Sequence, residues 1–173
     1  MKPIFIFLLF SICVQVSAQT EIVWKENMPL TWNDFKGPKR NSKLAAETYC
    51  SINTSVAITG DKLNITIQAV FYADSSWYNP EKIHELTLTH EQGHFQIAEL
   101  YARKLRKAVA EKINSFTDYQ NQFEALYEEV HGDYFDRQEQ YDEETLHGTI
   151  SRTQMDWIDR IAEELLELKE YQL

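Results

Sequence analysis

His90-Glu91-Gln92-Gly93-His94 sits inside a helical pattern, and that placement decides how the rest of the chain is read. Around it Ile83, Leu86, His90, His94, Ile97, Tyr101, Leu105 and Ala108 recur at steps of three and four, the spacing of one apolar helix face. Asn79-Pro80 supplies a start signal, with Asn as the cap and Pro in the first helical position, so a long amphipathic helix is expected from there. Two histidines four apart on such a helix are offset by about 40° around its axis and by roughly 6 Å along it. Their imidazoles stand side by side and can share one tetrahedral Zn²⁺ at about 2.0–2.1 Å from each nitrogen. Glu91 then lies beside the ion without ligating it, placed to take a proton from an activated water and carry it to a leaving amine. The expected chemistry is zinc-assisted hydrolysis.

Both histidines fall within the apolar stripe, and two buried imidazoles on one face need a partner that a metal would satisfy. Gly93 costs about 1 kcal/mol relative to Ala inside a helix, which marks close approach by another backbone. The helix itself offers no third ligand. A glycine at 97 and a histidine at 100 would complete one known subtype of this motif, but the chain has Ile97 and Leu100. Glu99 points about 140° away from His94. Downstream, Glu124, Glu128, Glu129 and His131 are candidates, as are Asp142, Glu143 and Glu144 in the segment 141–148. That segment reads as a helix break, and its His147, beside Gly148, is the best candidate by ligand type, with Asp142 as a partner that could orient it. Asp142 or Glu143 could also supply a fourth ligand. His84, six residues before His90, points off the face.

Outward from the motif, the first part of the chain is strand-rich and the remainder helical. Residues 27–43 mix aromatics with turn formers and read as irregular but ordered. Ile52, Thr54, Val56 and Ile58 alternate with polar or small residues, and Leu63, Ile65, Ile67, Ala69 and Phe71 repeat the pattern after Thr59-Gly60-Asp61-Lys62. These are two strands of an antiparallel hairpin. After the motif helix a second helix is expected over about 118–140, with Phe123, Leu126, Val130 and Tyr134 inward. A third begins near Ser151, where Ser151 and Gln154 have the spacing of a capping box, and carries Trp157, Ile161, Leu165 and Leu168.

At the start, Lys2, an apolar run over residues 4–10 and Val16-Ser17-Ala18 have the form of a signal peptide cut after Ala18. The apolar run is shorter than the roughly 20 residues that span a bilayer. Residues 19–173 are therefore expected to be exported, secreted or periplasmic, as one domain without an integral membrane segment. Hydrophobic content of 43% and aromatic content of 13% suit a packed core. With 17 Lys+Arg against 27 Asp+Glu, the net charge of −10 disfavours nucleic acid and anionic membrane partners. Cys50, the one cysteine after the signal, has no internal disulfide partner.

His90-Glu91-Gln92-Gly93-His94, the Phe95, Ile97, Ala98 and Glu99 that follow, and Tyr141-Asp142 with Thr145, His147 and Gly148 resemble a bacterial family of unknown function described as predicted secreted zinc-dependent proteases. Leu30-Thr31-Trp32 with Asp34-Phe35 resembles that family's start. The resemblance implies His90 and His94 as ligands, Glu91 as catalytic acid/base and a role for the segment ending in His147. The expected protein is α+β and zincin-like, with an antiparallel hairpin followed by the His-Glu-x-x-His helix and two more helices. It is expected to bind one Zn²⁺ and act as a peptidase on a peptide or protein substrate paired to strand 63–72. The rival is a non-catalytic exported binding module with a structural or vestigial zinc site.

Overall fold

The computed structural model describes residues 19–60 and 62–173. The expected signal peptide, residues 1–18, lies outside the described residues. The alternating pattern forms a hairpin of β3 (Cys50–Thr59) and β4 (Lys62–Tyr72), in register from Cys50 opposite Phe71 to Thr59 opposite Lys62. A short β1 (Glu21–Val23) pairs with the far end of β4, so the sheet order is β1-β4-β3. A second small sheet pairs β2 (Ala46–Glu47) with β5 (Trp77–Tyr78). Three helices follow: α1 (Thr87–Lys112), α2 (Phe116–Thr145) and α3 (Ser151–Glu167). The chain is α+β, as its patterning implies.

α1 lies at the centre. It packs against β3, β4, α2 and α3, which is why residues beyond its expected stripe are buried, including Phe95, Ala98, Leu100 and Ala102. The sheet contributes Ile52, Ile67, Ala69 and Phe71 to the same core, and the irregular segment 27–43 contributes Leu30 and Phe35. Trp157, Ile161 and Leu165 of α3 close it from the other side. Each fully buried Leu, Ile or Phe stabilises the fold by about 1.5–3 kcal/mol.

Several boundaries differ from the sequence reading. α1 starts at Thr87, not at Asn79-Pro80. Asn79 does begin a turn, since its carbonyl accepts from the Lys82 and Ile83 N–H groups and its side chain from the Glu81 N–H. That turn is not continued: Thr87 restarts the helix by accepting from the His84 N–H through its hydroxyl. α2 runs through Tyr141–Thr145, so the helix break falls at 146–148 and not across 141–148. α3 is entered from Ile150, and Gln154 does not cap it; its side chain is buried elsewhere. Strand β4, expected as a cleft edge for substrate, is the central strand of its sheet and lines no part of the cleft described below.

The core holds one buried ionic knot. Glu99 Oε1 accepts from Arg103 Nε at 2.9 Å and Arg106 Nη2 at 2.6 Å. The two guanidinium groups also donate to the Leu165 and Ile67 carbonyls, tying α1 to the end of α3 and to β4. Replacing Glu99 with Ala strands two buried cations, and breaking such a pair costs about 3–5 kcal/mol. Glu99→Ala is therefore expected to lower the urea midpoint strongly at near-constant slope; an unchanged midpoint would mean the knot adds nothing.

Candidate metal centre

Three helix-borne groups and one turn residue converge between α1, α2 and the loop after α2. On α1, His90 and His94 face α2 with their Nε2 atoms 3.1 Å apart. On α2, Asp142 reaches toward both, its Oδ1 lying 3.0 Å from His90 Nε2 and 3.1 Å from His94 Nε2. His147 Nδ1 lies 3.0 Å from the same Oδ1. Ligand atoms of a tetrahedral zinc site, each about 2.0–2.2 Å from the ion, are separated by roughly the same distance as these contacts. His90, Asp142 and His147 form a group that could hold a metal ion, and His94 meets two members of the four-residue cluster at hydrogen-bond distance.

Local structure explains why these side chains meet. Gly93 has no room for a side chain: an added Cβ would stand 2.2 Å from the Tyr141 hydroxyl oxygen, so the close approach is by a ring, not by backbone. Tyr141 stacks on the His90 ring, with centroids 4.7 Å apart, and its hydroxyl donates to the His90 carbonyl. Past Thr145 the chain takes three consecutive left-handed residues: Leu146 at φ 47°, His147 at φ 51° and Gly148 at φ 77°. This turn is held by the His147 N–H on the Asp142 carbonyl, the Gly148 N–H on the Thr145 hydroxyl and the Ile150 N–H on the Thr145 carbonyl. It turns His147 back onto the cluster and lays Gly148 against His90, where an added Cβ would be 2.7 Å from the His90 Cβ.

The far nitrogens of the two helix histidines are also fixed. His90 Nδ1 donates to Gln154 Oε1 at 3.0 Å, and His94 Nδ1 donates to Gln138 Oε1 at 2.6 Å. With their protons on Nδ1, both imidazoles present a lone pair at Nε2. Two nitrogen lone pairs and a carboxylate oxygen then face one another, an arrangement that needs a cation. In the metal-free protein, protons on Nε2 take that part. Burial alone would raise the Asp142 pKa, but hydrogen bonds from His90 and His94 hold it well below the usual carboxylate range. Burial pushes His94 down, yet the hydrogen bond and charge of Asp142, with Glu91 adding to them, carry it above 6.5 overall.

Glu91 is buried, and its Oε2 has no hydrogen-bond partner among the described residues. It lines a cleft of about 900 Å³ together with His90, His94, Asp142 and His147. Residues 43–50 also line it, as do Lys82, His84, Thr87, Phe135 and Leu146. Cys50 also lines it, but burial pushes its thiol up to about 12, which rules it out as a nucleophile near neutral pH.

Of the residues singled out by sequence, His90, Glu91, His94, Asp142 and His147 come together. Glu124, Glu128 and Glu129 are exposed and do not line the cleft, and His131 stacks on Tyr127 and meets Phe135 edge to face. Glu143 is exposed, and Glu144 accepts from the Trp157 indole N–H. His84 is exposed at the cleft rim, off the helix. Gln138 is not singled out by the sequence, and Gln154 only as part of a capping box. Gln138 lies four residues before Asp142 on α2, a spacing that would have revealed it once the helix was known to continue.

Residues 74–148 match the model of a family described as "Bacterial protein of unknown function (DUF922)". The match spans the whole cluster, from before α1 to Gly148; the 30–35 stretch and α3 lie outside it. No curated protein and no solved structure matches the chain.

Gly60 and Gly148 both adopt left-handed backbone, but only Gly148 is also packed, since nothing lies within 4 Å of a Cβ at Gly60. Gly60→Ala is expected to cost about 1–2 kcal/mol from backbone strain alone. Gly148→Ala is expected to cost about 1–3 kcal/mol more, because His90 must move. Thermal unfolding of the two variants measures the difference; equal losses would mean that the contact with His90 carries no weight.

Proposed function

We propose that this protein is an exported zinc-dependent peptidase whose ion is held by His90 Nε2, His94 Nε2 and Asp142 Oδ1. The observation that carries the reading is the convergence of these three atoms, at 3.0–3.1 Å from one another, beside a buried carboxylate with a free oxygen. Asp142 takes the third place, ahead of His147, because it stands on a rigid helix and meets both histidine Nε2 atoms. His147 meets Asp142 from the solvent side, with 54% of its side chain exposed and its Nδ1 3.0 Å from Oδ1. The roles expected from sequence for these two residues are thus exchanged.

When bound, zinc would polarise a scissile carbonyl and lower the pKa of a water from 15.7 toward about 7. The chain's own residues do the rest. Gln154 and Gln138 hold the two imidazoles in place through their Nδ1–H groups. Glu91, with an unpartnered oxygen in the cleft, takes the proton of the attacking water and delivers it to the leaving amine nitrogen. Residues 43–50 line the cleft, and among the described residues β2 pairs with β5 alone, so substrate backbone docks along its other edge and not along β4.

A second reading keeps one specific observation in its favour. His147 is a fourth donor, and four protein ligands would close the site as in a structural zinc centre. Under that reading the protein is a binding module. Glu91→Gln separates the two. It is expected to retain one zinc per chain and to lose at least about 10²–10⁴-fold of peptide hydrolysis. A variant that cleaves a peptide library as fast as wild type removes Glu91 from the chemistry. Wild type that binds zinc and cleaves nothing supports the structural centre.

Ligand assignment is tested by equilibrium dialysis. Asp142→Ala is expected to lose stoichiometric zinc at micromolar metal. His147→Ala is expected to keep it with weaker affinity, and His84→Ala and His131→Ala to bind like wild type. If His147→Ala loses zinc and Asp142→Ala does not, His147 is the third ligand.

Protons and metal compete for His94 Nε2. Because its folded pKa is raised above 6.5, its contribution to the metal-free fold is fully present below 6.5 and is lost as pH rises through the folded value. Metal-free protein is therefore expected to gain stability as pH falls through that window. Zinc-loaded protein is expected to lose its metal-dependent gain in melting temperature over the same window. Parallel pH trends for the two forms would argue against His94 as a ligand.

A further inference from the structure

We propose that Gln154, on α3, is a positioning residue that fixes the tautomer of His90 and so decides which nitrogen faces the metal pocket. The inference rests on the metal reading above, but it concerns an atom that can be observed without metal. Gln154 is fully buried, although it carries two polar atoms, and it bonds to Tyr141 and His90. A leucine there would avoid desolvating an amide, so the amide's retention needs a reason.

Its orientation is forced by its neighbours. The Tyr141 hydroxyl spends its proton on the His90 carbonyl, so its oxygen can only accept, and it accepts from Gln154 Nε2. Gln154 Oε1 is thereby turned to His90 Nδ1 at 3.0 Å, and a carbonyl oxygen there requires Nδ1 to carry the proton. His90 Nε2 is left with its lone pair toward His94 and Asp142. Gln138 repeats the device from another helix. Its Nε2 donates to the His94 carbonyl at 3.0 Å, which turns its Oε1 to His94 Nδ1. Each glutamine amide thus locks one imidazole by reading a fixed acceptor beside it.

An amide also suits the charge. Asp142 and Glu91 already place two carboxylates in the cleft with the helix histidines. A carboxylate at 154 would add a third in a fully buried position. Gln154 lies beyond the 74–148 family match, so α3 supplies a part of the site that the match does not include.

The test is long-range ¹H–¹⁵N NMR of the histidine rings in metal-free protein, well above the histidine titration range, paired with zinc affinity. Wild type is expected to show both His90 and His94 as the Nδ1–H tautomer. Gln154→Leu is expected to release His90 into a mixture while His94, held by Gln138, stays unchanged, and to weaken zinc binding by about 10–100-fold. Gln154→Glu keeps the acceptor and is expected to restore the Nδ1–H tautomer. An Nε2–H tautomer of His90 in wild type overturns the proposal, as does a Gln154→Leu variant with His90 and zinc affinity unchanged. Should Gln154→Leu not fold, the wild-type tautomer and Gln154→Glu decide. Wild type that binds no zinc yet holds His90 as Nδ1–H removes the metal reading and leaves the tautomer assignment standing.

Discussion

Everything at the candidate centre depends on the ring of Tyr141 lying against the bare backbone of Gly93. That contact brings α1 and α2 close enough for Asp142 to reach both histidines, and a single methyl group at position 93 would forbid it. Tyr141 then does three further things at once. It stacks on His90, it donates to the His90 carbonyl, and it presents its oxygen to Gln154. Trp157 packs against its edge at 5.3 Å between centroids, so the hydrophobic face of α3 supports the same ring. The helix-forming cost of Gly93 is offset by this packing.

Much of this fold was legible because its strongest signals are periodic. The hairpin pairing held residue by residue, although Val56 and Ile58 of its expected inner face are exposed, and the buried face of α3 is the expected Trp157, Ile161 and Leu165. The pair His90 and His94 was legible because a four-residue step on a helix has one geometric meaning. Boundaries were harder. Asn79-Pro80 carries a genuine turn signal, but whether one turn becomes a helix depends on packing that begins only at Thr87. The strands β1, β2 and β5 are two or three residues long, too short for any alternation to declare them.

The ligand question shows what a boundary error does. Read as a loop, Tyr141-Asp142-Glu143-Glu144 offers three interchangeable carboxylates. Read as the last turn of α2, it offers one. Residues 138, 141, 142 and 145 share the face toward α1, whereas Glu143 and Glu144 are carried around the axis into solvent. Glu144 is then taken up by the Trp157 indole. The same phase places Gln138 beside His94, and Thr145 where its hydroxyl can hold the Gly148 N–H. Charge alone could not have chosen among these acids, because the helix carries many; phase chooses.

The turn after α2 shows how the molecule treats the one donor that a helix could not supply. Leu146 and His147 both occupy left-handed backbone, which costs a non-glycine residue about 1–2 kcal/mol each. A helix that ends simply at a glycine would place that glycine first, in the αL position after the last turn. Here it comes third, and the two strained residues precede it. The order follows from geometry. Gly148 has to be the residue pressed on His90, since an added Cβ there would collide with it, and His147 must precede it to meet Asp142 from outside. Strain of this kind persists only where surrounding contacts over-determine it, and Thr145 supplies two of them, through its hydroxyl and its carbonyl. An exposed histidine held this firmly in an unfavourable backbone contributes no core packing that would repay it. The strain is therefore an argument that His147 acts on the cluster.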